Sequence, residues 1–157
     1  MWYGEYLHTL DEKDRFILPA KFREKVKTLK KRKFFITRGL DGCLFLVSQE
    51  AWEKLEDKLK SLSFTKKQSR FFNRLYFSGA SEIDIDIQGR ITLPEYLKEF
   101  AQIQREVVII GVSDRIEVWG KIVGINSIRR IKRDLRRWPR IFLKNKRGVF
   151  RNNDNGK

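Results

Sequence analysis

Asp11-Glu12-Lys13-Asp14-Arg15-Phe16-Ile17-Leu18-Pro19 returns as Asp86-Ile87-Gln88-Gly89-Arg90-Ile91-Thr92-Leu93-Pro94, 75 residues further on. Both copies read Asp-x-x-x-Arg, then an apolar residue, any residue, Leu and Pro. The correspondence continues outward: Leu10 matches Ile85, Phe22 matches Leu97, Arg23 matches Lys98 and Glu24 matches Glu99. Internal repetition constrains architecture before any single residue does. Two copies in one chain point to one domain with pseudo-twofold symmetry, in which a functional residue of one copy has a partner in the other.

The surroundings of the two copies read alike. Gly4 to Leu10 alternates as a short strand, Lys13-Asp14 makes a turn in which Asp tolerates a left-handed backbone, and Phe16-Ile17-Leu18 is a strand stub. Pro19 opens a helix whose apolar face is Phe22, Val26 and Leu29, because a first helical residue needs no N–H. Phe34–Thr37 and Cys43–Val47 form a hairpin around Gly39-Leu40-Asp41-Gly42. Ser48 is the N-cap of a helix over about 49–61, with Trp52, Leu55, Leu59 and Leu62 on its inner face. Phe71, Phe72, Leu75 and Tyr76 predict a further helix, with Gly79 at its C′ position. In the second half Ile83, Ile85 and Ile87 alternate as a half-buried strand and Gly89 turns. Pro94 opens a helix with Leu97, Ala101 and Ile103 inward. Val107–Ile110 and Ile116–Trp119 form a hairpin with a turn from Gly111 to Arg115.

Composition bounds the function. Lys and Arg number 35 against 20 Asp and Glu, a net charge of +15. Residues 121–157 hold 13 basic and 2 acidic side chains, whereas residues 1–120 hold 22 and 18. The repeat-bearing part is therefore only mildly basic, and a field of this sign favours nucleic acid or simply solubility. No apolar run approaches the roughly 20 residues of a membrane span, and the N-terminus has no signal-peptide pattern. The single Cys43 allows no internal disulfide and fits a reducing compartment. With one histidine, His8, matched by Ile83 in the other copy, packing is expected there rather than catalysis. Cys43 reads as a small buried hydrophobe. No Gly-rich phosphate loop, Cys/His metal spacing or nucleophile beside a His is present, which argues against an enzyme.

Several words carry a resemblance: Gly4-Glu5-Tyr6-x-His8-Thr9-Leu10-Asp11, Pro19-Ala20-Lys21-Phe22-Arg23-Glu24, Thr37-Arg38-Gly39-Leu40-Asp41-Gly42-Cys43-Leu44-Phe45, Phe77-Ser78-Gly79-Ala80, Asp86-x-Gln88-Gly89-Arg90, and Ile110-Gly111-Val112-x-Asp114-Arg115-Ile116-Glu117-Val118-Trp119. Over about residues 4–120 the chain resembles the MraZ family of bacterial transcriptional regulators. That resemblance implies an α+β fold: a pseudo-twofold swapped-hairpin β-barrel of the AbrB type, built from two repeats with flanking helices and followed by a basic tail. The expected divisions are 1–62 for the first repeat, 63–80 for an inter-repeat helix, 81–120 for the second repeat and 121–157 for the tail. It also implies a homo-oligomeric ring, an octamer or similar, in the cytoplasm on the nucleoid. The ring would bind double-stranded DNA at repeated promoter boxes of the division and cell-wall gene cluster, with no cofactor, metal or membrane involved. Arg15 and Arg90 would be the DNA-binding residues, with Lys13 and Gln88 beside them and Asp11, Asp86 and Gly89 supporting the motif.

The chemistry of the residues agrees. Arginine offers a planar fork of donors that suits phosphate or guanine O6 and N7. The two aspartates are expected to accept backbone N–H groups or to hold the arginine stems. Asp14 stands where the family usually has Gly, as Gly89 does in the second copy, and adds a negative charge beside Arg15. Arg70 and Arg74 share a helix face and either line a basic surface or are simply exposed; Lys30–Lys33 is a solvated basic loop. The tail departs from the family's acidic amphipathic helix: it has no Glu between 121 and 157. It reads as a basic arm, or as a disordered or frameshifted segment. A competing reading of the whole is an antitoxin-like interaction module with autoregulatory DNA binding. The doubled repeat argues against it, since such proteins usually carry one half.

Overall fold

The first strand, β1 (Trp2–Thr9), finds its partner in the second repeat. It runs antiparallel to β7 (Glu106–Ser113), from Trp2↔Ser113 to Thr9↔Glu106. The structure, a computed structural model, describes residues 1–29 and 33–134. Strand β3 (Lys33–Arg38) pairs with β4 (Leu44–Ser48) and β7 pairs with β8 (Arg115–Gly120), which are the two predicted hairpins. Adding β5 (Ser81–Asp84) completes a six-stranded antiparallel sheet in the order β1-β7-β8-β4-β3-β5. The short strands after each Asp-x-x-x-Arg turn, β2 (Arg15–Ile17) and β6 (Arg90–Thr92), pair with each other as a separate ribbon. The helices are α1 (Ala20–Thr28), α2 (Gln49–Lys60), α3 (Lys67–Gly79), α4 (Glu95–Phe100) and α5 (Lys121–Asp134). The fold is thus α+β with an antiparallel sheet. The ladders form a sheet and a ribbon, and no ladder joins β1 to β5 among the described residues.

The sequence explains the local structure. Pro19 and Pro94 are the N-caps of α1 and α4. The Pro19 carbonyl accepts from the N–H groups of Phe22 and Arg23, and that of Pro94 from Leu97 and Lys98. Ser48 caps α2 through the Ala51 N–H, at 3.4 Å. Phe16 and Ile91, directly opposed in the ribbon, are fully buried in one core cluster with Phe22, Leu97, Ile36 and Ile109. Each such side chain contributes roughly 1.5–3 kcal/mol through burial. A second cluster gathers Cys43, Phe45, Tyr76 and Trp119. Trp52, buried as its spacing predicts, stacks on Phe35 with ring centroids 5.1 Å apart.

Four expectations need correction. Gly111 is not in a turn but inside β7, facing Gly4. A Cβ on it would lie 2.3 Å from the Tyr3 nitrogen, so close backbone approach is what requires glycine there. Gly79 is the last residue of α3, not a left-handed C′; Ala80 is the C-cap. Its need is steric, since a Cβ would lie 2.8 Å from Arg38 Cγ. Leu62 is exposed because α2 stops at Lys60. Ile87 does not continue the buried alternation: β5 ends at Asp84 and Ile87 is 97% exposed.

The chain divides into a unit of residues 1–124 and one of residues 125–157. Residues 121–134 of the tail are helical; residues 135–157, on which most of the basic-arm, disordered or frameshifted reading falls, and Lys30–Arg32 of the basic loop lie outside the described residues. No described helix is long and apolar enough to cross a membrane.

Candidate nucleic-acid interface

The two motif loops have nearly identical hydrogen bonding. In the first, Asp11 Oδ1 accepts from the N–H groups of Lys13 (2.9 Å) and Arg15 (3.0 Å), and Oδ2 accepts from Arg15 Nε at 2.8 Å. In the second, Asp86 Oδ1 accepts from Gln88 and Arg90, both at 2.9 Å, and Oδ2 from Arg90 Nε at 2.6 Å. Both roles that the sequence left open for the aspartates, backbone acceptor and stem holder, are filled at once. One carboxylate therefore shapes the turn and fixes the arginine. The Arg15 side-chain hydrogen bond, the largest influence, holds Asp11 down to about 2, and the Arg90 backbone bond lowers Asp86 likewise. Both side chains stay ionised at neutral pH.

The ribbon sets where the arginines face. Arg15 lies opposite Thr92 and Arg90 opposite Ile17, on either side of the buried Phe16–Ile91 pair. Side chains alternate along a strand. With Phe16 and Ile91 inward, Arg15, Ile17, Arg90 and Thr92 share the outer face. The two arginines are diagonal neighbours there, with backbones roughly 7–8 Å apart. Their side chains are 27% and 29% exposed. At Arg90 only Nε is engaged among the described residues, so both terminal nitrogens retain donors for an outside acceptor.

The loops are also tied to each other. The Leu18 N–H donates to the Gly89 carbonyl at 2.9 Å, and the Leu93 N–H donates to the Asp14 carbonyl at 3.0 Å. Asp14 and Gly89 have the same left-handed backbone, with φ of 53° and 78°. Lys13 and Gln88 are exposed at the turns. Arg70 instead donates to the carbonyls of Phe64 (3.0 Å) and Thr65 (2.7 Å), closing the loop before α3, while Arg74 is exposed.

Two basic residues belong to this site that motif reading did not assign to it. Lys98 of α4 pairs with Asp14 of the first loop, Nζ to Oδ1 at 2.9 Å. Arg23 of α1 lies on Gly89 of the second loop, where a Cβ would fall 2.1 Å from Arg23 Cδ. The signal was present in the repeat, which aligns Arg23 with Lys98. A cleft of about 280 Å³ lies beside the second loop, and Arg23, Lys27, Asp86 and Ile87 are among its lining residues.

A family model described as "MraZ protein, putative antitoxin-like" matches residues 1–75 and 76–122. The chain belongs to the MraZ family. It is 52% identical over 121 residues to a protein of Acetivibrio thermocellus named transcriptional regulator MraZ, covering 77% of this chain and 82% of that one. It is 50% identical over 121 residues to the protein of that name from Moorella thermoacetica, with the same coverages. To that of Caldanaerobacter subterraneus it is 49% identical over 123 residues, covering 78% and 83%. MraZ proteins are transcriptional regulators, not enzymes.

Proposed function

We propose that this MraZ-family regulator binds double-stranded DNA through the outer face of the β2–β6 ribbon, with Arg15 and Arg90 as the principal contacts. The observation that carries the reading is the ribbon register, which sets two aspartate-clamped guanidinium groups diagonally on one face. A clamped arginine loses little side-chain freedom on binding, so its fork is pre-organised for phosphate or for guanine O6 and N7. Lys13 and Gln88, exposed beside them, add a phosphate contact and an adenine-compatible amide. Asp11, Asp86 and Gly89 shape the loops.

The protein acts in the cytoplasm, on the nucleoid, as a homo-oligomeric ring of about eight subunits with the sheet and ribbon completing a swapped-hairpin barrel. Its targets are repeated promoter boxes of the division and cell-wall gene cluster. A ring that displays many such faces engages tandem boxes together, so individually weak contacts give a tight complex through effective concentration. The domain divisions 1–62, 63–80, 81–120 and 121–157 go with this reading, the last as a basic extension. The antitoxin-like wording of the family description favours a second reading, in which a partner protein is bound; co-purification of a neighbouring gene product supports it.

The test is fluorescence anisotropy on the DNA upstream of the protein's own gene, wild type against Arg90→Ala and Arg15→Ala. Wild type binds with a steep salt dependence, its log–log slope being about −0.9 per phosphate neutralised. Arg90→Ala keeps its circular dichroism and loses specific binding. Retained affinity in both variants overturns the reading.

A further inference from the structure

The two loops share a scaffold but not a tip. The positions after the aspartates are Glu12-Lys13 in the first loop and Ile87-Gln88 in the second. Ile87 is 97% exposed, more than any other large apolar side chain described, and contributes nothing to the core. Its backbone is nonetheless fixed. The Gly89 N–H closes the turn on the Asp86 carbonyl at 2.8 Å, and Asp86 Oδ1 holds the N–H groups on either side of Gly89. An apolar β-branched side chain thus stands at the apex of a rigid turn, one residue from Gln88 and three from Arg90. Single exposed apolar residues are ordinary on protein surfaces; the placement distinguishes this one.

The charge around the loops is unequal in the same sense. The first carries three acids, Asp11, Glu12 and Asp14, against Lys13 and Arg15, and its neighbour Lys98 is engaged by Asp14. The second carries only Asp86 against Arg90 and is flanked by Arg23 and Lys27. The second loop therefore approaches a polyanion more closely. In the major groove the only apolar feature of a base edge is the thymine C5-methyl.

We propose that Ile87 is a specificity-determining residue that packs on a thymine methyl in the major groove, so that the second loop reads a T·A pair beside the base contacted by Arg90. This rests on the DNA-binding reading given above. The acidic tip of the first loop has no group for that contact, so the two loops read their half-sites differently.

The test selects duplexes from a randomised library with the full-length protein and with Ile87→Ala. The selected duplex is then remade with uracil in place of each thymine, which removes only the methyl. Wild type loses about fourfold in affinity at one uracil position, the value of one buried methyl-sized group. Ile87→Ala binds the thymine duplex that much more weakly, ignores the uracil change, and selects a motif degenerate at that one pair. Wild type that is indifferent to uracil everywhere, or Ile87→Ala that keeps the full uracil penalty, overturns the proposal while leaving DNA binding by Arg15 and Arg90 intact. A smaller assembly for Ile87→Ala in light scattering, with unchanged base preference, overturns it in favour of a subunit contact. Failure of wild type to select any motif overturns both readings.

Discussion

Lys98, from the second repeat, closes on Asp14 of the first repeat at 2.9 Å. Asp14 thus neutralises a helix lysine rather than the motif arginine beside it. Its carboxylate holds a cation beside the first motif loop.

Replacing Asp14 with Gly releases that lysine. The ion pair is partly exposed, at 20% and 34%, and pairs of this kind contribute little to stability. Relief of the left-handed backbone offsets that small loss, so stability stays within about 1 kcal/mol of wild type. DNA binding tightens, and the salt slope steepens by about 0.9 as one more phosphate contact forms. Anisotropy across a salt series measures this; an unchanged slope means that Lys98 does not reach DNA.

Gly89→Ala behaves in the opposite way. The position has φ of 78° and the new methyl meets the Arg23 stem. Left-handed strain and the displaced side chain together cost about 1–3 kcal/mol, read as a lower urea midpoint. Asp14→Ala, at a position that already carries a side chain, loses less.

The aspartate clamps give a pH signature. Asp11 lies at about 2 against an ordinary 3.8, and Asp86 is lowered in the same direction. A depressed carboxylate lends stability that is complete above its unfolded value and lost as pH falls through its folded one. The first loop is therefore insensitive to pH from 5 upward and opens as pH drops from about 4 to about 2, and the second responds in the same direction. Carboxyl carbon shifts in an NMR titration report this directly, and an Asp11 midpoint at or above 3.8 contradicts the clamp.

Cys43 is 1% exposed, donates its Sγ–H to the Leu40 carbonyl at 3.1 Å, and has its thiol pushed far up by burial. Reactivity requires the thiolate. A thiol reagent such as DTNB therefore leaves the native protein unmodified and reacts with one thiol per chain in denaturant; rapid native reaction would show that the second core cluster opens.

The repeat, both hairpins, the proline-started helices and the Ser48 cap were legible, because each depends on residues close in sequence. Leu97, Ala101 and Ile103 are buried as their spacing indicates. What escaped depends on distant chain segments. The cross-repeat ladders β1–β7, β3–β5 and β2–β6 leave no local mark on any one strand. Gly79 and Gly111 looked like turn glycines, yet both are needed because something packs too closely for a Cβ. Ile87 fitted an alternating pattern that ends at Asp84, where Asp86 takes over the backbone. Lys98 and Arg23 were aligned with each other, but which loop each would meet depends on the two halves crossing over.

The ribbon has a consequence for how the molecule comes into being. Phe16 meets Ile91 across 75 intervening steps of chain, and long-range pairings of this kind are slow to form. A nascent polypeptide that has emerged only as far as α3 has no mate for its first arginine turn. On the proposed reading, competence to hold a duplex arises late in synthesis, and a prematurely terminated copy has no assembled arginine ribbon with which to compete against finished ones.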